Sequence, residues 1–64
     1  MIRLTADDLR RLADQVENQE KYGNMHGYVT VSIKHHPNGR EFVEFEQPCQ
    51  YAECNSNYYR YDGR

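Results

Sequence analysis

The sequence predicts an α+β mini-domain in which one N-terminal amphipathic helix packs on a small antiparallel β-sheet of about three strands. Three observations carry this. Apolar residues recur at helical spacing in the first third, they alternate with polar ones in the middle third, and the last third is rich in tyrosine, a good strand former.

The helix is predicted to start at Ala6. Thr5 with Asp8 fits a capping box in which Asp stands for the usual Glu, and Leu4 with Leu9 fits the hydrophobic staple. Leu9, Leu12, Ala13 and Val16 then form one apolar stripe, with Arg10, Arg11, Asp14, Gln15, Glu17 and Asn18 on the other faces. Asp7 and Asp8 at the positive end and Lys21 at the negative end suit the helix dipole. Tyr22-Gly23-Asn24 supplies the stop.

Period two takes over at Tyr28. Val29, Val31 and Ile33 alternate with Tyr28, Thr30, Ser32 and Lys34, as in a strand with one buried face. In His36-Pro37-Asn38-Gly39-Arg40, Pro37 and Asn38 suit the centre of a type I turn and Gly39 the left-handed residue after it. With His36 opposite Arg40, Ile33 faces Val43 and Val31 faces Phe45 on one side, while Lys34 faces Phe42 and Ser32 faces Glu44 on the other. A hairpin alone is marginal in water, so the helix stripe is expected to cover the apolar face. A further strand is expected at Asn57 to Tyr61. It either follows a short extended piece at Gln50 to Glu53 or crosses back to the first hairpin, and alternation sets Tyr59 against Tyr58 and Arg60.

The 64 residues form a single domain, since so short a chain buries only about 60% of its unfolded surface. Leu, Ile, Val and Phe number 11, a thin core, yet the net charge of −2 is too small for disorder driven by charge. A pI near 5.8 makes nucleic acid an unfavoured partner. No segment approaches the roughly 20 apolar residues of a membrane span, and MIRLTADDL has no apolar signal core, so a cytoplasmic protein without membrane contact is expected. In that compartment Cys49 and Cys54 are expected as free thiols.

Several constellations have the chemistry for a site. QYAECNSNYYRY combines Tyr, Asn, Ser and Arg as binding loops do, since Tyr gives large contact area at little entropic loss. Tyr58, Tyr59, Arg60 and Tyr61 are therefore the candidate anchors of a partner-binding surface that also includes Tyr28, Phe42 and Glu44. Glu41, Glu44 and Glu46 are expected to set charge complementarity. An alternative uses Tyr28, Lys34 and Phe42, with Tyr58 or Tyr61, to stack single-stranded nucleic acid, although Glu44 and Glu46 would repel phosphate. Another alternative is a zinc-stapled domain with His35, His36, Cys49 and Cys54 as ligands and His26 nearby, for which the spacing is poor. No catalytic residues or cofactors are assigned: Cys54 with His35 is the one pair resembling a nucleophile and base, and the glycines are dispersed.

The opening LTADDLRRLADQVE, a capped helix leading into a compact hairpin, resembles small uncharacterised proteins encoded by bacteriophages. The likeness covers the first twenty residues and the overall architecture. It implies a style of function, in which a small protein binds and redirects a host enzyme or defence complex by surface contact, in the host cytoplasm. The reading from sequence is thus a non-enzymatic protein-binding module, a modulator or inhibitor of a larger host protein. A homodimer is also expected, because the core is thin and a sheet edge invites pairing.

Overall fold

Helix α1 spans Ala6–Tyr22 and is followed by β1 (Thr30–His35), β2 (Glu41–Gln47) and β3 (Asn57–Tyr61) in a computed structural model that describes residues 2–62. The strands form one antiparallel sheet in the order β1-β2-β3. The third strand therefore crosses back to the first hairpin, and Gln50 to Glu53 lies in a turn.

The helix begins where the cap predicts. The Thr5 backbone N–H donates to Asp8 Oδ2 (2.9 Å), and the Asp8 N–H donates to Thr5 Oγ1 (3.2 Å). These reciprocal bonds satisfy donors that no helical carbonyl reaches. At the other end Gly23 is the C-cap, and the left-handed residue is Asn24 (φ 59°), a residue that tolerates this region.

The hairpin has the predicted register, Ile33 opposite Val43, Val31 opposite Phe45 and Lys34 opposite Phe42. Its turn closes with His36 N–H on Arg40 O (2.8 Å) and Gly39 N–H on His36 O (2.9 Å), and Gly39 takes the left-handed conformation at φ 88°.

The helix covers less of the sheet than expected. Val43 and Phe45 of β2 are buried, with Val16 and Met25, but Val31 and Ile33 are 61% and 63% exposed. The expectation that the helix stripe covers β1 is corrected here. The helix is moored over β2 and β3: the buried Gln47 amide donates to Val16 O (2.9 Å), Asn57 Nδ2 to Gln19 Oε1 (3.3 Å), and a groove under Leu4, Leu9 and Leu12 is floored by Phe45, Tyr59 and Tyr61. The connection from α1 to β1 is held on the same side. His26 N–H donates to Pro48 O (2.9 Å), Gln50 N–H to Asn24 O (3.1 Å), and Met25 bridges Cys49.

Cys49 and Cys54 form a disulfide with Cα atoms 5.9 Å apart, which corrects the expectation of free thiols. The turn at Tyr51 to Cys54, with Cys54 N–H on Tyr51 O, brings the two residues together. The zinc set is corrected as well. His35 lies at the hairpin end of β2 and the cysteines beyond its other end, so that the length of β2 alone, about 20 Å at about 3.3 Å per residue, stands between them. No group of three or more metal-ligating side chains occurs among the described residues, and no helix there is long and apolar enough to cross a membrane.

Candidate functional site

Strand alternation divides the sheet into two unlike faces. The face under the helix carries Val31, Ile33, Val43, Phe45, Tyr59 and Tyr61, and the outer face carries Ser32, Lys34, Phe42, Glu44, Glu46, Tyr58 and Arg60.

Glu44 is the centre of the outer face. Its carboxylate accepts from Lys34 Nζ at 2.8 Å on one side and lies 3.4 Å from Arg60 Nε on the other. Arg60 stands directly opposite it across the ladder and Lys34 is its diagonal neighbour, positions from which side chains of this length reach. The hydrogen bond from Lys34, joined by the fields of Lys34 and Arg60, holds the Glu44 carboxyl below its ordinary range even though burial works the other way.

Phe42 is buried beneath this polar lattice. His36 stacks on its ring at 4.4 Å between centroids, and the Arg60 guanidinium lies 5.5 Å from the ring centroid. His36 is in turn held by Asp62, with Nε2 2.9 Å from Oδ1. At the far end Tyr58 is 58% exposed, and its hydroxyl donates to Glu46 Oε2 at 3.3 Å. The Glu46 charge, with burial and that hydrogen bond, raises the Tyr58 phenol above its ordinary value.

The structure brings Tyr58, Arg60, Phe42 and Glu44 together on one face. Tyr59 and Tyr61 lie on the other, half-buried beside the helix, where the Tyr59 hydroxyl donates to Gln47 Oε1 at 2.9 Å. Tyr28 precedes β1, stacks on His26 at 5.2 Å and lines a groove against Leu12 and Val16. The stacking platform of Tyr28, Lys34 and Phe42 is therefore not assembled, because Tyr28 leaves the strand and Phe42 is roofed by His36 and Arg60. Gln47 is the residue that sequence reasoning passed over, and His36, read as a turn residue and candidate ligand, instead stacks on Phe42 and pairs with Asp62. Gln47 had a signal, since it continues the inward parity of Val43 and Phe45.

A second surface has a different character. Val31 and Ile33 form an exposed apolar strip on β1, and Leu9 of the helix is 50% exposed. Together these features define a small α+β domain with a charged, aromatic outer face and a partly roofed apolar inner one. No family model, no curated protein and no solved structure matches the chain.

Proposed function

We propose that the chain is a non-enzymatic protein-binding module that modulates a larger partner by contact through the outer sheet face. One observation carries this reading: Tyr58 and Arg60 stand exposed beside the Glu44 and Glu46 carboxylates on the sheet face opposite the helix. Tyr and Arg are the commonest energetic anchors of protein interfaces, and here each is already held in place by a carboxylate on β2. Holding them lowers the ordering entropy lost on binding. Lys34 and Glu46 at the flanks supply charge of both signs, which sets orientation and association rate. Action by surface contact is also the style of function that the likeness to small phage-encoded proteins implies.

The test is affinity capture by the tagged chain from bacterial lysate at moderate salt, with and without nuclease, using wild type and a Tyr58→Ala/Arg60→Ala variant whose circular dichroism matches wild type. The expected result is a nuclease-resistant protein partner that the variant loses. Capture that is unchanged in the folded variant, or that disappears with nuclease, overturns the reading.

A further inference from the structure

We propose that a second copy of this chain pairs along β1, antiparallel and two-fold symmetric, with Val31 opposite Ile33 of the second copy and Ser32 on the axis. The inference concerns the opposite edge of the sheet from Tyr58 and Arg60 and does not rest on their role.

The backbone argument comes first. β1 is an edge strand among the described residues, and all six of its residues are exposed. His36 and Arg40 form a hydrogen-bonded pair at the turn, and antiparallel pairs alternate between bonded and non-bonded. Lys34, Ser32 and Thr30 therefore bond to β2, while Val31, Ile33 and His35 direct their N–H and C=O groups to the free edge. The residues that offer the edge are also those that carry the apolar strip.

Edge strands are ordinarily protected by charge, proline or a covering element. Lys34 is the single Lys on β1, and its ammonium is engaged by Glu44 on the outer face. The inner side of the edge holds only Val31, Ile33 and the imidazole of His35. Opposed residues of an antiparallel pair share a face, so the symmetric registers that join bonding groups also keep apolar residues together. Setting Val31 against Ile33 of the second copy places Thr30 against Lys34, so no like charges meet. The two strips then merge into one apolar band between the two helices.

The area agrees with a second copy as the occupant. The chain exposes 5042 Å², whereas a folded monomer of 7.7 kDa exposes about 4,300 Å². The excess of several hundred Å² is of the order of the roughly 800 Å² that each partner contributes to a standard interface. The shape agrees: the Cα radius of gyration is 12.7 Å, against about 10.7 Å for a compact chain of this length. An edge that pairs with itself about a two-fold axis closes after two copies, which suits a plate of 35 × 26 × 12 Å with one open apolar edge.

The experiment is sedimentation of the full chain over a range of concentrations, combined with residue-resolved amide hydrogen exchange. Twice the chain mass is expected at high concentration, and the Val31 and Ile33 amides should gain protection as concentration rises. Ile33→Lys, at a site already exposed in the single chain, should weaken self-association by more than about tenfold, because symmetry counts the lost burial twice. Val31→Pro removes an edge N–H without touching the β1–β2 ladder and should do the same. Tyr58→Ala/Arg60→Ala should leave the mass unchanged. Single-chain mass at every concentration overturns the proposal, as does a dimer that survives both β1 variants or protects the β3 amides instead. Rapid exchange at Val31 and Ile33 at the highest concentration, while Ser32 and Lys34 stay protected, also overturns it.

Discussion

Glu44 shows how a carboxylate can sit inside a sheet face at little cost. Its oxygens meet Lys34 and Arg60, so the charged form is favoured and the carboxyl titrates below its ordinary range. The consequence for stability has a definite sign. A group whose pKa is depressed on folding contributes stability that is present above its unfolded value, about 4.3 for Glu, and that is lost as pH falls through the lower folded value. The thermal stability of the wild type should therefore fall as pH drops below the ordinary carboxylate range. In Glu44→Gln that part of the acid limb should flatten, because the amide binds no proton there. Melting temperatures measured from pH 7 down to strong acid for both proteins check this, and parallel curves would assign the acid sensitivity to other carboxylates.

At the scale of elements, the legible parts were those set by local chemistry. Thr5 and Asp8 lie within one turn of each other and Pro37 to Gly39 within one loop, so cap and hairpin, including the register of Val31 and Ile33, could be read from neighbours in the chain. The position of the helix on the sheet could not, because it depends on Gln47, which meets partners 31 and 21 residues away. This side chain is fully buried, donates to Val16 O and His26 O, and accepts from the Tyr59 hydroxyl. It thereby joins α1, the post-helix loop and β3 to β2. Strand alternation and the β2–β3 register put Tyr58 and Arg60 on the face of Glu44, and the Gln47 tie sets the helix over the opposite face, where Tyr59 lies. Replacing Gln47 with Leu keeps the volume but removes three side-chain hydrogen bonds, to Val16 O, His26 O and the Tyr59 hydroxyl, so a loss of about 2 kcal/mol is expected. Urea unfolding monitored by circular dichroism measures it; a loss well under that figure would mean that the helix finds other moorings.

On the scale of the whole molecule, the disulfide compensates for a thin core. Chains below about 70 residues rarely draw more than about 3–5 kcal/mol from one hydrophobic core, and here the helix roofs only part of the sheet. Cys49–Cys54 closes a short loop directly beside the Met25 bridge that ties the helix exit to the end of β2. Restricting the unfolded chain over so short a loop contributes about 2 kcal/mol by the chain-entropy account. That is a large share of the total. Reduction should accordingly lower the melting temperature by roughly 10 °C, and Cys49→Ser/Cys54→Ser should match the reduced protein and ignore reductant. Chain concentration must be held fixed in this comparison, because pairing along β1 would itself make the melting temperature depend on concentration. A transition that reductant does not move would assign the anchoring of this corner to the backbone bonds of His26 and Gln50 instead of the bridge.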